Sequence, residues 1–253
     1  MGKMEQSTSA AGSPASGLGG ADNFARLDGK VVLVTGSEGG LGSALIDELM
    51  AAGARVVAAD LVTGPSGVGE PTATNRARPG ILYVQMDVTE ESSVQAGVHA
   101  AYRRWGHLDA VVNNAGVMDE VSVEEQRAQQ VWERTLAVNL DGAYRVTRVA
   151  VPYLRRRRSP AIVSIASQLA YTGGRDLTAY SAAKAGLVGL TRALAHDLGP
   201  QIRCNAVAPG PLESAMTAGY GEEWRRRKTA RLIQRRFGRA SEVTPVVRFL
   251  LSD

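Results

Sequence analysis

Three side chains in this sequence have the types and spacing for proton transfer at an oxygen atom. Tyr180 and Lys184 stand four apart in Tyr180-Ser181-Ala182-Ala183-Lys184, a spacing that sets both on one face of a helix. A free phenol titrates near pH ~10. A neighbouring ammonium favours the phenolate and is expected to bring that value down toward the working pH. The pair could then give or take a proton at an alcohol or carbonyl oxygen. Ser167 precedes Tyr180 at the end of an apolar run and could hold the same oxygen by a hydrogen bond. A Tyr/Lys pair at this spacing often arises by chance, so its weight depends on the elements around it.

The element that gives it weight lies near the other end of the chain. Val31-Val32-Leu33-Val34-Thr35 is an unbroken run of mostly β-branched residues, Gly36-Ser37-Glu38-Gly39-Gly40-Leu41-Gly42 follows, and a helical pattern continues from Leu41. Strand, glycine turn and helix together form the context of a phosphate site. Glycines at 36, 40 and 42 allow a tight bend and a close approach by a pyrophosphate, which the helix N-terminus favours through its free N–H groups and dipole. The helix should run from about Leu41 to Ala52, closed by Gly53, with strand two at Arg55–Ala59 ending on Asp60. A carboxylate there is placed to accept from the ribose hydroxyls of an adenosine and to repel the extra phosphate of NADP. The turn holds Glu38 and no Lys or Arg. The expected cofactor is therefore NAD(H), with NADP disfavoured.

The remaining elements follow in alternation. Leu61–Gly80 is rich in proline and glycine, so any helix there must be short or distorted. Strand three is Ile81–Met86, followed by Asp87-Val88, and Thr89 is expected to cap a helix ending near Trp105-Gly106. Strand four is Asp109–Val112, leading into Asn113-Asn114-Ala115-Gly116, small and polar residues suited to close approach by a ligand. A long helical segment from about Val123 to Arg156, broken once, carries Asn139 among apolar neighbours, where an unsatisfied amide would be costly. Strand five is Ala161–Ile165, the Tyr/Lys helix is Thr178–Leu198, and strand six is Ile202–Val207, before Pro209-Gly210-Pro211-Leu212-Glu213-Ser214. Met216–Arg239 is arginine-rich and amphipathic, and a last helix covers about Ser241–Leu251.

Composition narrows the class. The 253 residues suit one α/β domain. Residues 1–26 are rich in Gly, Ser and Ala and are expected to be a disordered tail, leaving 27–253 as the folded domain. A single cysteine, Cys204, excludes an internal disulfide framework. No stretch is long and apolar enough to cross a bilayer, no signal peptide is visible, and no Cys/His spacing suggests a metal. The expected location is cytoplasmic, with no membrane partner. Lys and Arg exceed Asp and Glu by only 4 charges, so no nucleic-acid partner is expected. The Arg155–Arg158 run is read as cations complementing a helix C-terminus.

Taken in order, Thr35-Gly36 with Gly40-Leu41-Gly42, Asp87-Val88, Asn113–Gly116, Asn139, Ser167, Tyr180 through Lys184 and Pro209-Gly210 resemble the short-chain dehydrogenase/reductase family over about residues 27–253. The resemblance implies a Rossmann-type, doubly wound parallel sheet with helices on both faces. It implies that Tyr180 is the general acid/base, that Ser167 polarises the substrate oxygen, and that Lys184 tunes Tyr180 and holds the nicotinamide ribose. Asn139 would anchor a water in a proton relay. Gly36, Ser37, Gly40, Leu41, Gly42 and Asp60 would hold the pyrophosphate and adenosine ribose, Asp87 and Val88 the adenine, and Asn114, Ala115 and Gly116 one wall of the cleft. Pro209, Gly210, Leu212 and Ser214 would meet the nicotinamide end. Many relatives have Thr where Ser214 stands, and the hydroxyl is kept.

The implied substrate is a small secondary alcohol or ketone, and the implied assembly is a homo-oligomer, dimer or tetramer. Relatives continue into a seventh strand that this sequence lacks. Strand six is then expected at the sheet edge, in a chain less stable and less oligomeric than those relatives. That gap also leaves open an alternative, a catalytically silent nicotinamide-binding module, against which the intact Ser167, Tyr180 and Lys184 set argues. A third reading is a nucleic-acid or acidic-carrier binder through Trp224–Lys228 with Arg231, Arg235, Arg236 and Arg239.

Overall fold

The computed structural model describes residues 25–62, 78–214 and 221–253. The expected tail falls almost wholly outside the described residues, as does most of the Leu61–Gly80 loop.

Six strands form one parallel sheet in the order β3-β2-β1-β4-β5-β6. They are β1 Val31–Thr35, β2 Arg55–Asp60, β3 Ile81–Gln85, β4 Ala110–Asn113, β5 Ala161–Ile165 and β6 Arg203–Val207. β1 lies between β2 and β4, with Val32 opposite Val56 on one side and Ala110 on the other. The chain therefore winds one way from β1 to β3 and the other way from β4 to β6. This reversal leaves a crevice at the carboxyl ends of β1 and β4, where ligands bind in open α/β sheets. Burial on both faces explains the unbroken apolar runs of the central strands. In β1, Val32 and Val34 face one core and Val31 and Leu33 the other.

The helices cover those two faces. α1 (Gly40–Ala51) buries Leu45, Ile46 and Leu49 on the Val32 side, where the final helix joins it through Val247 and Leu251. α2 (Glu91–Trp105), α4 (Gly142–Leu154) and α6 (Thr178–Leu198) cover the opposite face with Val94, Val98, Val146, Ala150 and Leu198. α2 stops at Gly106, whose φ of 75° places it in the left-handed region, where glycine is unpenalised. Between α2 and α4 lies α3 (Ala128–Leu136), and between α4 and α6 the single turn α5 (Leu169–Thr172). After β6 come α7 (Glu222–Ala230), a 3₁₀ turn at Ala240–Glu242 and α8 (Thr244–Leu251).

Several boundaries differ from expectation for local reasons. Thr89 does not cap α2: its hydroxyl and its N–H both bond the Asp87 carboxylate, at 2.6 and 2.8 Å, and Glu90 occupies the N-cap position without a side-chain cap. The long segment starts at Ala128 rather than Val123, because Ser122–Arg127 is held in turns by Glu125 and Arg127. Its interruption is a π-helical turn, Ala137–Asp141, between α3 and α4. β6 is the edge strand on its side of the sheet. Its first residue, Arg203, donates to the Leu250 and Ser252 carbonyls at 2.8 and 2.6 Å, so a cation closes the end of α8.

Candidate active site

The glycine turn is built by exclusion. Gly36 has φ +65°, and a Cβ there would lie 2.7 Å from the Ala115 Cα. A Cβ on Gly42 would sit 2.0 Å from the Gly36 carbonyl oxygen. These two positions therefore let the end of β1, the start of α1 and the loop after β4 come within backbone contact. The N-cap of α1 is Gly39, which has no side chain to cap the helix, so the first N–H groups remain available to an anion.

Asn114 and Thr35 brace this turn. The Asn114 amide donates to the carbonyls of Thr35 and Gly36, each at 2.9 Å. Thr35 Oγ1 accepts the N–H groups of Asn114 and Ala115, each at 3.1 Å. The Asn114 side chain is thus spent on the protein, and this residue meets the cleft through its backbone. Thr35 entered the sequence reading only as part of the Thr35-Gly36 motif and was given no role of its own; a hydroxyl ending an otherwise apolar strand was the available signal.

Asp60 ends β2 beside the turn, with Oδ2 accepting the Glu38 N–H at 2.9 Å and Oδ1 the Leu61 N–H at 2.7 Å. Asp87 is committed to Thr89, while Val88 is buried and packs on Gly142, where a Cβ would lie 2.7 Å from its Cγ2. The Arg145 guanidinium donates to the Val88 carbonyl at 2.6 Å. On the other side of the turn, a Cβ on Gly40 would lie 3.4 Å from the Ser214 Cβ, so Pro209–Ser214 closes over the glycines. The Pro209 carbonyl accepts the Gln168 N–H at 2.9 Å, fixing that segment to the residue after Ser167.

Ser167 follows β5 and is buried, and its Oγ accepts the Leu169 N–H at 3.2 Å. α6 brings the Tyr180 phenol beside it, where the Ser167 hydroxyl favours the phenolate. One turn later Lys184 is buried, with Nζ donating to the Ile165 carbonyl at 2.7 Å and lying 5.6 Å from the Tyr180 ring centre. Asn139 is fully buried within the π turn, with Oδ1 accepting the Val117 N–H at 2.8 Å and Nδ2 donating to the Val117 carbonyl at 2.9 Å. A Cβ on Gly116 would lie 3.4 Å from Asn139 Oδ1 and 3.6 Å from Lys184 Nζ. The four chemical groups and the loop after β4 therefore converge.

The electrostatics depart from the sequence expectation. Burial raises the Tyr180 phenol above its ordinary value, and the Ser167 hydroxyl offsets this only in part. Burial also lowers Lys184 from 10.5 to about 8. Desolvation opposes both charged forms, so the lysine does not make this phenol acidic in the protein alone.

The turn fits the pyrophosphate of a dinucleotide: it has no room for a Cβ at Gly36 or Gly42, presents uncapped helix N–H groups, and holds a buried hydroxyl, Ser37 Oγ, that has no partner among the described residues. Among the described residues, no cluster of His, Cys, Asp and Glu could hold a metal ion, and no helix is long and apolar enough to cross a membrane.

Known proteins resemble this chain in sequence and in fold. The family described as short chain dehydrogenase matches residues 30–224. A 3-oxoacyl-acyl-carrier-protein reductase of Thermotoga maritima is 35% identical over 231 residues, covering 90% of this chain and 92% of that protein. A trans-4-hydroxycyclohexanecarboxylate dehydrogenase of Sinomonas cyclohexanicum is 36% identical, covering 90% and 88%. The ligand-free aldohexose dehydrogenase of Thermoplasma acidophilum superposes with a TM-score of 0.79 at 29% identity, covering 90% and 89%.

Proposed function

The chain belongs to the short-chain dehydrogenase family, and from that premise we propose that it moves a hydride between NAD(H) and a secondary alcohol or ketone, with Tyr180 handling the proton. The observation that carries the reading is the gathering of the Tyr180 phenol, the Ser167 hydroxyl and buried Lys184, its Nζ 5.6 Å from the phenol ring centre, beside the glycine cradle.

A bound nicotinamide supplies the hydride acceptor or donor. In reduction, Tyr180 gives its proton to the carbonyl oxygen while the Ser167 hydroxyl donates a hydrogen bond to the same atom. In oxidation the proton returns, and the Lys184 charge steadies the phenolate. A phenol raised by burial is protonated at neutral pH, so the acid role is ready there. The base role gains as pH rises, and oxidation should accelerate into the alkaline range while reduction does not.

Gly36, Ser37, Gly40, Leu41 and Gly42 hold the pyrophosphate. Asp60 selects NAD over NADP because its carboxylate lies against the turn with no Lys or Arg in that turn. Asn139 fixes the π turn beside Lys184 and presents the local backbone to a relay water. Pro209, Gly210, Leu212 and Ser214 border the nicotinamide end, and Asp87, Val88, Asn114, Ala115 and Gly116 the adenine side and floor. A homo-oligomer, dimer or tetramer, is the assembly in keeping with this reading.

The test is a panel of secondary alcohols and ketones with both cofactors. Tyr180→Phe should lower turnover by at least about 100-fold while NADH still binds by fluorescence titration. Unchanged turnover in that variant refutes the assigned acid/base, and a kcat/KM favouring NADP refutes the role of Asp60.

A further inference from the structure

The arginine-rich stretch is not an evenly solvated face. α7 contains no buried residue, and a nine-residue helix is marginal by itself, so core burial does not decide where it sits. What fixes it is local. Arg225 Nη2 lies 2.6 Å from each carboxylate oxygen of Glu213. The same guanidinium lies over the Phe237 ring, 5.0 Å from its centre, and Trp224 meets that ring edge-on at 6.1 Å. Phe237 itself is buried.

Glu213 belongs to the segment that closes over the glycine turn. Its N–H donates to the Gly238 carbonyl at 2.9 Å, and the Gly238 N–H returns to the Pro211 carbonyl at 2.9 Å. The next residue, Ser214, is the one that faces Gly40. α7 also borders an open cavity of about 690 Å³ with Glu222, Glu223, Arg225, Arg226 and Thr229.

We infer that Arg225 is a positioning residue for the cofactor cleft: its pairing with Glu213 over Phe237 registers α7 against Pro209–Ser214 and so holds Ser214 on the glycine turn. The guanidinium does two jobs that an ammonium combines less well, covering a ring while pointing N–H groups at a carboxylate. The inference rests on the cleft being the NAD(H) site proposed above.

The experiment uses the full chain with Arg225→Ala, Glu213→Gln, the double variant and Arg225→Lys. Hydrogen exchange across Glu222–Ala230, measured without substrate, should accelerate several-fold in each single variant. The double should be no faster than the singles, and Arg225→Lys should fall between. In steady state, KM should rise by roughly fivefold, the scale of a partly exposed pair, and kcat should fall less than KM rises. Unchanged exchange in α7, or single effects that multiply in the double, overturns the inference. Failure of the wild type to turn over any substrate refutes the proposed function, and the exchange result still decides the latch.

Discussion

Lys184 is a cation placed where burial opposes its charge. Its Nζ has one hydrogen bond, to the Ile165 carbonyl, and its titration is lowered to about 8. The unfolded chain binds that proton up to about 10.5, so between the two values the unfolded state holds more protons and wild-type stability rises with pH. Replacing the ammonium with an apolar chain of similar shape should remove that slope. Lys184→Met is expected to be more stable at pH 7 by ~1–3 kcal/mol, raising the melting temperature by a few degrees while abolishing turnover. Melts of both proteins from pH 7 to 10.5 check this; a flat wild-type profile would contradict the burial argument. The Tyr180/Lys184 spacing was legible in the sequence because helical geometry is local. The direction of the Tyr180 shift was not, because it depends on how much protein closes around the phenol, which no spacing reveals.

At the scale of elements, the glycine turn is the part that tolerates least. Gly42→Ala would drive a methyl to within 2.0 Å of the Gly36 oxygen and 2.9 Å of the Ser37 Cα, both backbone atoms. The turn would have to open, at about 1–3 kcal/mol. NADH affinity should fall by more than about tenfold, read by titration, with a lower melting temperature alongside; retained affinity would mean that the turn is softer than its contacts imply. Strand-turn-helix order made this element readable, since apolar run, glycines and helical period are each visible in one dimension. The π turn around Asn139 was not readable: its extra residue is accommodated by contacts with Val117 and Gly116 that come from another part of the chain. Thr89 is not the cap because α2 begins one residue later than expected, with Glu90 at the N-cap position, while Thr89 turns its hydroxyl and N–H toward Asp87.

For the whole molecule, the proposed site and the reinforcement lie at opposite ends of the sheet. The carboxyl ends of the strands carry the site, whereas the amino ends are tied by Asp109. Its buried carboxylate accepts the Val31 N–H at 2.8 Å and the Arg157 Nε at 2.6 Å, and it lies 3.3 Å from His107 Nε2. Arg157, read from sequence only as a cation answering a helix dipole, is here also a staple between the end of α4 and the start of β4. Asp109→Ala leaves a buried N–H unpaired and should destabilise the fold by about 2–3 kcal/mol, measured by denaturant titration. NADH affinity should stay within about twofold of wild type; a large loss would show that the two ends are coupled. The doubly wound order itself was legible through the resemblance, because the motifs occur at the ends of successive strands.

The central position of β1 also bears on synthesis. Val31, at its start, meets Asp109 across 78 residues of chain, all of which must leave the ribosome before β4 can dock. At about 5–20 residues per second, one flank of a strand apolar from Val31 to Val34 stays uncovered for roughly 4–16 s. A nascent chain is therefore most open to aggregation in that interval, and a holding chaperone would do the most for yield before β4 emerges.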